Sequence, residues 1–189
     1  VAAFSTQNIT LPSLGPQTLA LMEQGLAPSE ALDKVLTRNG YSQYRQITAI
    51  DHLGRTAHFS GAQTLGNHNA VSGEQCVAAG NMLASPAVIE AMVSAFEQAE
   101  GQLADRLIAA MQGGVAAGGE AGPVHSAAVM VVGELTWPIV NLRVDWADED
   151  PIGQLQKLWQ AYRPQVQDYI DRALAPDRSP GYGVAGDDR

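Results

Sequence analysis

Cysteine is almost missing from this sequence: Cys76 stands alone among 189 residues. One thiol cannot close an internal disulfide, so the fold has no covalent staple and a reducing cytoplasm is the expected compartment. Cys76 lies in an apolar strand pattern and reads as a buried structural thiol, because reactive cysteines need an exposed, electropositive setting. Basic residues are also few. Lys and Arg total 11 against 20 Asp and Glu, a formal net charge of −9. That excess of acid argues against nucleic acid and anionic membrane surfaces as partners, since both select basic patches. Charged residues make up only 16% and hydrophobic residues 46%, which describes a globular chain with a real core. No apolar run approaches the ~20 residues of a membrane span, and the first residues show no signal-peptide pattern.

Metal and phosphate signatures are missing too. The histidines, His52, His58, His68 and His125, include no i, i+4 pair. No Gly-x4-Gly-Lys loop occurs. The acidic cluster of Asp145, Asp148, Glu149 and Asp150 lacks the regular oxygen spacing and Gly turn of a calcium loop. Complementarity to a helix N-terminus accounts for Asp148 to Asp150. Arg143 and Asp145, two apart on a strand, suit an internal ion pair. No metal or other cofactor is expected.

Periodicity supplies the elements. Val1 to Gln7 reads as a strand already under way, which suggests that residues of the same fold precede it. Leu14 to Leu26 and the stretch from Pro28 to Asn39-Gly40 read as helices. Tyr44 to Asp51 and Arg55 to Gly61 read as a hairpin turned at His52-Leu53-Gly54. Gly66 to Gly73 reads as polar loop and Val77 to Gly80 as a third strand. Helices follow at Pro86 to Ala99 and Leu103 to Gln112, the second broken by Gly113-Gly114 and Gly118-Gly119, with a loop through Pro123. Ser126 to Val132 is a continuous apolar run that suits a strand buried on both faces. Ile139 to Asp145 is the next strand, and Pro151 to Leu174 a long helix interrupted at Pro164. The expected organisation is one domain over 1–175 and a Gly-, Pro- and Asp-rich tail over 176–189, which a neighbouring subunit would hold in place. Paired helices between groups of strands suit two antiparallel sheets between helix layers.

The run Gln75-Cys76-Val77-Ala78-Ala79-Gly80-Asn81-Met82-Leu83-Ala84-Ser85-Pro86 carries the most information. It reads as a strand, a Gly-Asn turn, then a helix capped by the Ser85 hydroxyl with Pro86 at its first position. Such a turn is either a plain connection or a place where a sheet presents functional groups.

Several stretches together resemble the DUF1028 family, which is classed as Ntn-hydrolase-like. They are Val1 to Gln7, Leu14-Gly15-Pro16, Tyr44-Arg45-Gln46, Ser60-Gly61, Ala79-Gly80-Asn81-Met82-Leu83, Ala116-Ala117-Gly118-Gly119-Glu120, Ser126-Ala127-Ala128 and Leu142-Arg143-Val144-Asp145. They run from Val1 to about Leu158. The resemblance implies an α+β fold, a four-layer αββα sandwich of the Ntn-hydrolase type. It also implies a nucleophile at residue one of a processed chain (Thr, Ser or Cys) with its own α-amine as base. Val1 carries no such side chain. The options are a cleaved protein whose second polypeptide carries the missing N-terminal segment, a truncated chain, or a fold that has lost the chemistry.

By resemblance to proteasome-type subunits, Thr6, Gln7 and Asn8 line the substrate cleft and Gly80-Asn81 sits beside the nucleophile. Asn81, Glu120 and Ser126 are then the catalytic candidates, with Thr6, Gln7, Asn8, Gly80 and His68 as substrate-binding candidates. Plainer roles stand beside these: strand packing for Thr6, a solvated loop acid for Glu120, a strand-start hydroxyl for Ser126 and simple loop for His68. The expected function is an autoprocessed amidohydrolase acting on a small amide, cyclic amide or peptide-like bond, assembled as a homo-oligomer. The alternative is a binding or assembly module that keeps the fold without catalysis.

Overall fold

A computed structural model describes residues 2–187, so Val1, Asp188 and Arg189 lie outside the description. The chain forms two compact units, Val1–Val124 and His125–Arg189.

The first unit begins with strand β1 (Ala3–Asn8), followed by helices α1 (Leu14–Glu23) and α2 (Pro28–Thr37). Pro28 opens α2 where no backbone N–H is needed, and the Glu30 carboxylate accepts from Ala27 N at 2.9 Å. Strands β2 (Arg45–Ile50) and β3 (Thr56–Ser60) form the expected hairpin, and β1 pairs antiparallel with β2, giving the order β1-β2-β3. Alternation sorts this sheet's side chains. Leu32, Ile47 and Ala49 form a core with Phe4, Met22 and Phe59, on the side that faces α1 and α2.

The β2–β3 turn is built on Asp51, which is 8% exposed. Its Oδ1 accepts from Leu53 N and Arg55 N, each at 2.9 Å, and its Oδ2 pairs with Arg55 Nε at 2.6 Å. Burial works to raise the Asp51 pKa. The hydrogen bonds from Arg55 and Leu53 and the Arg55 charge outweigh it, and the net direction is down. A carboxylate lowered in the folded state contributes stability above its unfolded pKa of ~4 and loses it as pH falls through the folded value. Asp51→Asn is therefore expected to lower stability by about 1–2 kcal/mol at neutral pH. Urea titrations at a series of pH values should show that gap closing below about pH 4.

Strand β4 (Asn67–Gly73) occupies the stretch expected to be loop, and pairs with β5 (Cys76–Leu83) as a separate two-stranded sheet. Its polar composition hides the pairing, because the apolar partner sits in β5. Gly80-Asn81 consequently lies inside a strand and not in a turn. Helix α3 (Ala87–Gln98) starts one residue after Pro86, with no side-chain cap at that position, so the Ser85 hydroxyl is not the expected cap. Helix α4 (Leu103–Ala116) runs straight through Gly113-Gly114, contrary to the expected break. A Cβ at Gly113 would lie 2.6 Å from Ala95 Cβ and 3.0 Å from Ala91 O, so this glycine marks close approach of α3 to α4. The helix stops at the second expected pair, where Gly118 and Gly119 take φ of 115° and 62°. Leu83, Val88 and Ile89 join Val71, Ala78 and Met92 in a core between α3 and the β4–β5 pair.

The second unit holds β6 (Ala127–Val131), β7 (Val140–Val144), α5 (Pro151–Tyr162) and α6 (Val166–Leu174), with a short 3-10 turn at Arg163–Gln165 where Pro164 was expected to interrupt. Val129, Val131, Val140 and Val144 are buried with Leu155 and Trp159 of α5. The other face of β6 is open, Met130 being 58% exposed, so β6 is buried on one face and not both. Asp150 caps α5 by accepting from Gly153 N at 2.9 Å. Arg143 and Asp145 do pair, at 2.5 Å, but both are exposed, so the pair is a surface one. Part of the described tail, Pro180 to Tyr182, folds back on α6. Arg172 donates to Pro180 O and Gly181 O and lies 4.0 Å from the centre of the Tyr182 ring.

Candidate functional site

Strand β2 places one fully buried amide, Gln46, on the face opposite α1 and α2. It is 0% exposed, which a polar side chain tolerates only with its hydrogen bonds satisfied. Gln46 Oε1 accepts from Gln7 Nε2 at 2.9 Å and from Asn81 Nδ2 at 3.2 Å. Gln46 Nε2 lies 3.0 Å from Ser60 Oγ, 3.0 Å from Gly80 O and 3.2 Å from Asn69 O, so two protons serve three acceptors. One side chain thus ties together β1, β2, β3, β4 and β5.

A β-bulge aims Asn81 into this cluster. Register runs Asn67↔Leu83 and then Asn69↔Gly80, so Asn81 and Met82 on β5 oppose the single residue His68 on β4. Met82 takes φ 52° to accommodate the extra residue. The bulge also returns Leu83 to the face of Gly80, where a Cβ on Gly80 would meet Ile89 Cδ1 and Leu83 Cδ2 at 2.9 Å each. Asn81 is left on the opposite face, towards Gln46. Gln7 and Asn81 are half-buried, so the amides Gln46 anchors stand nearer solvent than Gln46 itself.

Backbone links close one end of this arrangement. Asn8, at φ 68°, donates to Tyr44 O at 2.7 Å and accepts from Leu65 N at 3.2 Å. Met82 N donates to Leu65 O, and Glu120 forms a bridge with Leu83. Two non-glycine residues in the left-handed region, Asn8 and Met82, are therefore both joined to Leu65.

Of the residues expected at a site, Gln7, Gly80 and Asn81 meet at Gln46. Thr6 pairs with Ile47 and shares its face towards the helices, away from Gln46. Asn8 fastens the strand ends. His68 lies opposite the bulge with Nδ1 3.1 Å from Gly66 O. Glu120 is exposed and held by backbone pairing two residues along from Asn81. Ser126 is exposed just before β6, in the second unit. Gln46, Ser60 and Asn69 were not among the expected site residues. A glutamine that alternates with Thr48 opposite the apolar Ile47–Ala49 face of β2 is the signal that points to the first of them.

The hydrogen-bonded cluster consists of amides, a hydroxyl and backbone carbonyls and carries no charge. A separate cleft of about 450 Å³ is lined by Glu74, Gln75, Phe96, Glu97, Leu103 and Arg106. Beside it, burial and then the Glu97 charge push the half-buried Cys76 thiol up, away from the thiolate that nucleophilic attack needs. Among the described residues no group of three or more His, Cys, Asp or Glu could hold a metal ion, and no helix is long and apolar enough to cross a membrane.

The family model described as a family of unknown function, DUF1028, matches residues 1–155. The chain belongs to the DUF1028 family. It is similar to a DUF1028 protein from Silicibacter pomeroyi whose crystal structure superposes with a TM-score of 0.79 at 31% sequence identity, covering 89% of this chain and 74% of that one. No curated protein matches the chain. In this DUF1028 protein the match takes in β1 to β7, and therefore every member of the Gln46 cluster.

Proposed function

We propose that this DUF1028 chain forms part of an amide-cleaving hydrolase of the N-terminal-nucleophile type, acting on a small amide, cyclic amide or peptide-like bond. The observation that carries the reading is the pair of side-chain amides, Gln7 and Asn81, that Gln46 anchors. Each –NH2 group spends one proton on Gln46 Oε1 and retains a second. Two fixed, neutral N–H donors near the surface of a buried network are what a developing oxyanion requires, because they need no reorganisation as charge forms. The contacts of α1–α2 with one sheet and of α3 with the other agree with an αββα arrangement. In this reading the nucleophile and its α-amine come from a segment outside residues 1–189, and Glu120 orients that amine. The active species in this reading is a homo-oligomer.

A second reading, a binding module without catalysis, draws on the neutrality of the cluster: it contains no general base. One experiment separates the two. Protein isolated from its native source would be analysed by intact mass and N-terminal sequencing before and after treatment with a β-lactone, which acylates activated hydroxyls and thiols. The hydrolase reading expects a polypeptide that begins with Thr, Ser or Cys and gains the acyl mass. Absence of any acylated N-terminal residue overturns it in favour of the binding module.

A further inference from the structure

The cleft at the tip of the β4–β5 hairpin is lined by opposite charges that do not meet. Strands β4 and β5 join through Glu74 and Gln75, with Gln75 at φ 53°. Glu74 N donates to Glu97 Oε1 at 2.7 Å, which fastens the hairpin to the last turn of α3. Gly73 makes room for that contact, since a Cβ there would collide with Glu97 Oε1 and Val93 Cγ1. Arg106, near the start of α4, lays its guanidinium 4.0 Å from the centre of the Phe96 ring and donates from Nε to Phe96 O at 3.2 Å. That bond takes up one of the carbonyls that the end of α3 leaves without a helical partner.

These contacts fix the guanidinium and leave its Nη1 and Nη2 groups without a partner among the described residues. Glu97 Oε2 and the Glu74 carboxylate are likewise unpartnered there. None of the ion pairs among the described residues joins Arg106 to either acid. Both charges nevertheless act on one neighbouring group, the Cys76 thiol. Burial and then the Glu97 charge raise its pKa, while a Gly73 hydrogen bond and the Arg106 charge work against them. Glu74 and Glu97 are exposed and Arg106 is half-buried, so a ligand entering from solvent reaches all three. Phe96 and Leu103 supply an apolar stretch of the same lining. The cleft, at about 450 Å³, is in the size range of small-molecule sites.

Opposite charges held apart across a cleft complement a molecule that carries both. The guanidinium fork suits a carboxylate, and a pair of carboxylates suits an ammonium. We propose that this cleft binds an α-amino acid with an apolar side chain. Its carboxylate lies on Arg106 Nη1 and Nη2, its ammonium on Glu97 and Glu74, and its side chain against Phe96 and Leu103. The cleft shares no residue with the Gln46 cluster, and the inference does not depend on amide cleavage.

Isothermal titration calorimetry of the full chain with L-leucine and L-phenylalanine tests this. Saturable binding with a Kd of about 1 mM or tighter is expected for at least one of them. Isoamylamine and phenethylamine are the same molecules without the carboxylate; isocaproate and hydrocinnamate are the same molecules without the ammonium. Each should bind about tenfold or more weakly, the worth of one charge-assisted contact. Arg106→Met keeps a stem over Phe96 and removes the fork, and Glu97→Gln keeps an oxygen for Glu74 N and removes the charge. Each variant should also weaken binding by about tenfold, and Glu97→Gln carries the test if Arg106→Met does not fold. No binding of either amino acid at about 10 mM, amines or acids that bind as tightly as the parent amino acid, or an unchanged affinity in Glu97→Gln overturns the proposal.

Discussion

Replacing Gln46 with leucine is expected to destabilise the first unit by about 3–5 kcal/mol, the largest single effect in the protein. The volume is nearly kept, so the cost is not a cavity. It comes from groups left behind. Gln7 and Asn81 each lose the acceptor at Oε1, and Ser60 Oγ, Gly80 O and Asn69 O lose the donor. Each stranded buried polar group costs about 1–3 kcal/mol, with the half-buried ones recovering part of that from water. Urea denaturation followed by circular dichroism measures the loss; a change below 1 kcal/mol would show that the cluster does not hold the two sheets together. Gln46→Glu separates polarity from hydrogen-bond pattern. A carboxylate there can still accept from Gln7 and Asn81 but donates only when protonated, and burial raises its pKa. An acid raised in the folded state is most stabilising when protonated, so this variant should lose stability as pH climbs from about 5 to 7. Wild type, with an amide at this position, has no such titration there.

Gly113→Ala is expected to destabilise by about 2–3 kcal/mol, although alanine is the better helix former by about 1 kcal/mol. The new Cβ would sit 2.6 Å from Ala95 Cβ and 3.0 Å from Ala91 O. Neither neighbour can rotate away, since one is a methyl fixed to the backbone and the other is backbone. α3 and α4 must then separate along their contact. Gly114→Ala is the internal control. Its Cβ would meet Met92 Cγ at 2.8 Å and Met92 Sδ at 3.2 Å, atoms of a flexible side chain that can swing aside. That variant should stay within about 1 kcal/mol of wild type. Thermal melts of the two variants side by side decide the matter; equal losses would mean that the helix pair does not depend on the glycine contact.

Much of the architecture is legible in the residues. Pro28 and the apolar spacing of Ala31, Leu32 and Val35 mark α2, and Asp51 to Arg55 marks a hairpin. In each, the deciding interaction lies within a few positions of the residue itself. The misread stretches are those whose own residues carry a weak or misleading pattern until a partner packs against them. Asn67 to Gly73 has little intrinsic strand preference and becomes a strand because β5 offers a ladder and a buried face. Gly113-Gly114 looks like a helix stop, and it is instead where another helix comes close. The candidate site divides in the same way. Alternation along β1 separates Thr6 from Gln7, and that much can be read directly from the period of two. The bulge that aims Asn81 at Gln46 depends on one extra residue in β5 relative to β4, a count that exists only once the two strands are paired.

The sequence by itself determined which segments could be helix or strand, where the tight hairpin turns, and that the chain must bury a core without covalent help. These follow from backbone sterics, local hydrogen bonding and periodic hydrophobicity. Only the tertiary structure decided which polar side chains are buried, and with whom. Gln46 is stabilised by five groups drawn from four other strands, and Arg45 is left with Nε unpartnered among the described residues, because long-range packing set the positions of both.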